Sequence, residues 1–117
     1  MHKVLVIDDN PDVREILRLA LEMRGYEVTD AGGGKSGLAA MEADCPDIIL
    51  LDYNMPDMNG VDVARQARML CGNVPIIFIT AHSNLVATGI GTMPKTDIVP
   101  KPFMLDTLSH RICAMLY

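Results

Sequence analysis

The 117-residue chain has no tryptophan, and aromatic residues make up only 4% of it. A sandwiched flavin or a platform of stacked bases has little to be built from. Basic charge is also scarce: Lys and Arg total 10 against 15 Asp and Glu, a net charge of −5, with no basic cluster. The phosphate backbone of a nucleic acid needs such a cluster, so no direct nucleic-acid binding is expected. No apolar stretch is long enough to span a bilayer. Met1-His2-Lys3 runs straight into a short apolar segment, without the longer core and cleavage site of a signal peptide, so a cytoplasmic location is expected. Cysteine is limited to Cys45, Cys71 and Cys113, an odd number with no CxxC spacing. The expectation is buried or half-buried free thiols in a reducing cytoplasm. No His/Cys set has zinc-ligand spacing. Neither phosphate-loop glycine pattern surrounds Gly32-Gly33-Gly34, which reads as a simple connection. The 9 methionines read as adaptable core filler.

What is present is ordinary globular material, 50% hydrophobic and 21% charged, enough for one domain spanning residues 1–117. Within it, four apolar runs each stop on a reactive residue. Val4-Leu5-Val6-Ile7 runs into Asp8-Asp9, and Ile48-Ile49-Leu50-Leu51 into Asp52. Ile76-Ile77-Phe78-Ile79 ends on Thr80, and Ile98-Val99-Pro100 on Lys101.

The runs fall into an alternation of strand and helix. A short β-branched run without polar alternation predicts a buried strand over 4–8; 47–52 and 76–80 are similarly apolar strands, and 97–100 makes a fifth. The more polar segment 26–31 fits an edge strand. Asn10-Pro11 reads as an N-cap followed by proline at the first helical position, with Val13, Ile16, Leu17, Ala20 and Met23 at helical spacing and Gly25 as the stop. Helices are expected also at 35–44, 61–71, 83–93 and 104–116. The fourth is irregular, because Gly89, Gly91 and two threonines lower its propensity. Five strands linked by helical crossovers predict an α/β three-layer sandwich around a doubly wound parallel sheet; strand 2 as the polar edge and strands 1, 3 and 4 as the most apolar favour order 2-1-3-4-5, the order known for flavodoxin. Strand C-termini share one edge of such a sheet, and strands 1 and 3 meet at its switch point. Asp8, Asp9 and Asp52 then converge.

Crowded carboxylates need either a proton or a cation. Hard oxygens on rigid strand ends suit Mg²⁺, with Mn²⁺ the second candidate. A carboxylate beside such an ion can act as a nucleophile toward phosphorus, with Lys101 balancing charge on the transferring group. Each residue also has a plainer use. An Asp after a strand is usually a turn or cap residue, a Thr at a strand end is common, and a lone Lys is usually a solvated charge. Joint placement at four strand ends is what singles them out.

The blocks VLVIDDN around Asp8 and Asp9, LDYNMPDMNG from Leu51 to Gly60, IFIT-Ala81 around Thr80, and Pro100-Lys101-Pro102-Phe103 resemble the signatures of response-regulator receiver domains across essentially the whole chain. That resemblance implies a flavodoxin-like fold and a bacterial two-component or phosphorelay signalling role. It implies that Asp52 accepts phosphate from a sensor histidine kinase or a histidine phosphotransfer protein. Asp9, Asp52 and the backbone carbonyl of Asn54 would hold Mg²⁺ directly, and Asp8 through water. Lys101 would pair with the phosphoryl group, with Lys101-Pro102 as a cis peptide. Thr80 would be the switch hydroxyl, with Ala81 small enough to leave access. Asn54 and His82 would flank the path of the water that ends the phosphorylated state. Partners would be the kinase and an unknown output domain or effector, reached through the face of the fourth helix, fifth strand and fifth helix; a homodimer is a further candidate.

One departure stands out. Many receivers carry Tyr or Phe where this chain has Ile98, so signalling is expected to use repacking of residues 83–100 rather than an aromatic flip. Two competing readings are a phosphorylation-independent docking receiver, for which the acidic triad and Lys101 need not be intact, and an aspartyl-phosphate phosphatase of the haloacid-dehalogenase type. The latter places DxD on its first strand and needs a cap domain. A flavin binder would need a hydroxyl-rich loop where Asp8-Asp9-Asn10-Pro11 stands. The expected chemistry is therefore the domain's own phosphorylation and dephosphorylation, not turnover of a separate substrate.

Overall fold

The computed structural model describes residues 1–81 and 93–117. Five parallel strands, β1 (Lys3–Ile7), β2 (Glu27–Ala31), β3 (Ile48–Asp52), β4 (Ile76–Thr80) and β5 (Thr96–Pro100), form one sheet in the order β2-β1-β3-β4-β5. Helices α1 (Pro11–Met23), α2 (Gly34–Ala43), α3 (Gly60–Cys71) and α4 (Leu105–Leu116) accompany it. The class and strand order are those the apolar runs predict. The helix expected over 83–93 lies, apart from Met93, outside the described residues.

Side chains alternate across the sheet and split the core in two. Leu5, Ile7, Ile49, Leu51, Ile76 and Phe78 pack with Leu38 and Met41 of α2 and Val63, Ala64 and Ala67 of α3. Val4, Val6, Ile48, Leu50, Ile77 and Ile79 pack with Leu17 and Leu21 of α1 and Leu108 and Ile112 of α4. Burial on both faces is why these strands read as continuous apolar runs, each Ile or Leu contributing about 2 kcal/mol over exposure. β2, at the edge, has the more polar pattern.

Local signals place the helix starts. The Asn10 side chain accepts the N–H groups of Asp12 at 2.9 Å and Val13 at 3.4 Å, and Pro11 opens α1. Gly25 follows the helix at φ +91°, where any other residue would be strained. The apolar spacing overstates the buried stripe of α1, because Ile16 and Met23 face outward while Leu17, Ala20 and Leu21 are buried. Methionine serves the core only in part. Met41 is buried, and Met55, Met58, Met93 and Met115 pack at its margins. Met1, Met23, Met69 and Met104 are exposed.

The cysteine expectation of buried or half-buried free thiols fails for all three, two by pairing and the third by exposure. Cys45, just past α2, and Cys71, the last residue of α3, form a disulfide with Cα atoms 5.6 Å apart, while Cys113 is free and exposed. Their separation of 26 residues carries no pairing signal, and only the side-by-side packing of α2 and α3 brings the two together. Closing a loop of that length restricts the unfolded chain and is worth about 2 kcal/mol or more. Reduction of a Cys113→Ser variant is therefore expected to lower its urea midpoint by a corresponding amount. An unchanged midpoint would mean that the link contributes nothing.

Candidate functional site: an acidic pocket at the strand ends

Strand register sets the pocket. Ile7 is level with Leu51, so Asp8, the next residue, comes level with Asp52 at the end of β3. The first strand thus stops one residue earlier than its apolar run suggested, and Asp8 begins the loop. Thr80 pairs with Pro100, which sends Lys101 out of the sheet beside them. The Lys101 N–H donates to the Thr80 carbonyl at 2.7 Å, and the Lys101–Pro102 peptide is cis.

The side chains converge. Ligand oxygens of Asp8, Asp9 and Asp52 all lie within 4.8 Å of one another, the first and last buried and Asp9 exposed at the mouth. Lys101 Nζ stands 3.5 Å from Asp8 Oδ2 and 3.6 Å from Asp52 Oδ1. The Asn54 N–H donates to Asp52 Oδ1 at 3.3 Å, and the Asn10 N–H to Asp8 Oδ1 at 2.9 Å. Thr80 is buried at the end of β4, and Ala81 is exposed directly after it. Ile98 sits in β5 opposite Phe78, half-buried against the α2/α3 side of the core. His82 lies outside the described residues.

Charge in the pocket is not balanced. Burial pushes the Asp52 carboxyl up to about 6, with the negative charge of Asp8 adding to it; Lys101 and the Asn54 N–H oppose the shift. Among the described residues, one ammonium stands against a group of three carboxylates. The donor set is all oxygen, hard and rigidly mounted, which fits a small divalent cation such as Mg²⁺ better than a soft or borderline metal.

Four supporting residues, Arg14, Arg18, Asp30 and Asp57, escaped the reading of the sequence. Arg14 on α1 donates from Nη1 to the Asp8 carbonyl at 2.7 Å and from Nε to Asp30 Oδ2 at 3.1 Å. Arg18 also pairs with Asp30, so the end of β2 anchors the loop that carries the first two aspartates. Asp57 receives the N–H groups of Gly34 and Lys35, which hold its carboxyl below the usual range. Arg14 and Asp30 lie on separate elements, and no local pattern pairs them. Asp57 had a readable hint in α2, whose N-cap is a glycine with no side chain to accept the Gly34 and Lys35 N–H groups.

Comparison with known proteins agrees with this geometry. The family model for the response regulator receiver domain matches residues 4–113. The response regulator MprA of Mycolicibacterium vanbaalenii is 37% identical over 115 residues, covering 97% of this chain and 50% of the relative. The probable transcriptional regulatory protein TcrX of Mycobacterium tuberculosis is 36% identical over 114 residues, 97% of this chain and 49% of the relative. The chain thus spans about half the length of the curated relatives it matches. Among solved structures, the chemotaxis protein CheY4 of Vibrio cholerae superposes with a TM-score of 0.91 at 31% identity, covering 99% of both chains. No described helix is long and apolar enough to cross a membrane. A family match over nearly every residue, bacterial relatives of that family and a shared fold have one common explanation: this chain belongs to the response-regulator receiver domains of two-component signalling.

Proposed function

We propose that residues 1–117 form one receiver domain in which Asp52 accepts a phosphoryl group from the phosphohistidine of a sensor histidine kinase or a phosphotransfer protein. An Asp52 oxygen attacks phosphorus, the P–N bond breaks, and the imidazole departs as an aspartyl-phosphate forms. The observation that carries this reading is the convergence of three carboxylates and Lys101 within one pocket at the strand ends. Asp9, Asp52 and the Asn54 carbonyl would hold Mg²⁺ directly, with Mn²⁺ as a substitute and Asp8 acting through water. When bound, the ion would offset charge on the phosphoryl oxygens. The Asn54 N–H orients Asp52 Oδ1, and Lys101 stands where it can move from Asp52 to an incoming oxygen.

Thr80 then donates its hydroxyl to the new phosphoryl group, with Ala81 leaving the approach open. The response passes along β4 and β5, through Phe78 and its register partner Ile98, to the 83–100 region and a partner or output domain. Ile98 is already half-buried, so repacking rather than a swing of an aromatic ring carries the change. His82 and Asn54 tune the return to the unphosphorylated state. A kinase partner implies a cytoplasmic setting, and a homodimer is one form the output can take.

Mass spectrometry after incubation with acetyl phosphate and Mg²⁺ tests the proposal. One added phosphoryl group is expected, lost in Asp52→Ala and lost on chelation of the ion. A wild-type chain that gains nothing under these conditions would instead be a docking receiver that works without phosphorylation. Steady turnover of a small phosphate ester would point to a phosphatase.

A further inference from the structure

Helix α2 supplies one acceptor of its own at its start: Ser36 Oγ takes the Gly33 N–H at 3.2 Å, which leaves the Gly34 and Lys35 N–H groups to be met from elsewhere. Its N-cap is Gly33, which has no side chain, and its first turn holds no acidic residue. The missing acceptor comes from another element. Asp57, in the loop between β3 and α3, takes the Gly34 N–H on Oδ1 at 3.0 Å and the Lys35 N–H on Oδ2 at 3.1 Å. The glycines make this approach possible. A Cβ at Gly33 would stand 2.9 Å from Asp57 Oδ2, and one at Gly34 would stand 2.8 Å from the Met58 Cβ. The glycine run is thus a seat for the loop, not a mere connection.

That loop is also tied at its base. Asn54 and Asn59 form a β-bridge, the Gly60 N–H donates to the Tyr53 carbonyl at 3.2 Å, and Asn59 caps α3 through the Val61 N–H at 2.8 Å. These ties join the two ends of the loop to each other. The Asp57 carboxylate ties its tip to α2, across the fold. Asn54, whose N–H orients Asp52, is one side of that base and runs directly into the segment that Asp57 ties down.

We infer that Asp57 is a positioning residue: by capping α2 it holds the Tyr53–Asn59 loop so that the Asn54 backbone meets the three carboxylates at the spacing a divalent ion needs. The inference rests on the proposed metal site, and it deepens that site by naming the contact that keeps it in shape. Asp57 itself touches neither the ion nor the phosphoryl group.

The test uses the full chain with Mn²⁺ as the probe, its binding followed by electron paramagnetic resonance, and amide hydrogen exchange as a metal-free readout. Asp57→Ala is expected to bind Mn²⁺ roughly 10-fold more weakly, the usual cost of losing an outer support. Without metal, the amides of Gly34, Lys35 and Asn54 should all exchange faster. Asp57→Asn keeps one of the two acceptor oxygens and should recover only part of the Mn²⁺ affinity. If Asp57→Ala does not fold, as judged by circular dichroism, Asp57→Ser, too short to reach both amides, replaces it. Faster exchange at Gly34 and Lys35 alone, with Asn54 and Mn²⁺ affinity unchanged, would make Asp57 a helix cap only and overturn the inference. A wild-type chain that takes up no Mn²⁺ would sink the metal site itself; the Asn54 amide would then decide separately whether Asp57 shapes the loop.

Discussion

Lys101→Ala should slow phosphorylation of Asp52 by about 100- to 1000-fold, the range lost when a preorganised charge-stabilising group is removed from a buried site. The geometry explains why the loss should fall on the rate. At 3.5 and 3.6 Å from two carboxylates, the ammonium is close enough to neutralise them but not locked into short hydrogen bonds. Its backbone is held by the 2.7 Å bond to the Thr80 carbonyl, so the side chain can shift to an incoming oxygen without moving the chain. Binding of the divalent ion should not weaken, because a competing cation has been taken away. The measurement is the initial rate of labelling by acetyl phosphate at saturating Mg²⁺, set beside Mn²⁺ affinity. Arginine should not restore the rate, since a planar guanidinium fork is bulkier and aims its donors differently. A rate within a few-fold of wild type would remove Lys101 from the transfer step.

Neutralising Asp52 should have the largest effect on stability, with a sign opposite to most substitutions of buried residues. Its carboxyl is raised from 3.8 to about 6 in the folded domain, by burial first and by Asp8 second. Between about pH 4 and 6 the folded state therefore binds more protons at this position than the unfolded chain does. The contribution of this group to stability is fully present below that window and is lost as pH rises through it, about 3 kcal/mol in all. Asp52→Asn has no charge to bury. The metal-free variant should match the wild type near pH 4 and exceed it by about 3 kcal/mol at pH 7. Urea unfolding across this range, in the presence of a chelator, measures the difference. Adding Mg²⁺ at pH 7 should close much of the gap in the wild type alone, since binding to the folded state stabilises it by mass action. A gap that stays constant with pH would mean that Asp52 is not the group responsible.

Both expectations depend on residues that could be picked out before any fold was known. Buried parallel strands cannot alternate polar and apolar residues, so β1, β3 and β4 announce themselves as unbroken aliphatic runs. A strand that ends on Asp or Thr in such a sheet delivers that residue to the ligand-binding edge. Asp8, Asp9, Asp52, Thr80 and Lys101 could therefore be placed on one edge from order and spacing alone. Their register turned that edge into a specific pocket.

Other contacts gave no such sign. Arg14 reaches the Asp8 carbonyl and Asp30 from different elements, and the Cys45–Cys71 link closes across two helices. Asp57 looked like one more polar residue in a Pro- and Asn-rich loop, and Gly33 and Gly34 like a flexible joint. Each acquires its partner only when distant segments pack, and pairing of that kind leaves no periodicity behind.

By itself, then, the sequence determined the layers of the fold, the strand order and the edge where the acidic residues gather. It could do so because burial imposes a pattern on every residue of a strand or helix. The tertiary structure alone decided how Asp52 comes to sit near pH 6, which residues brace the aspartate loops and which thiols join. Those are properties of single contacts and of local dielectric, and they depend on distances that no spacing along the chain encodes.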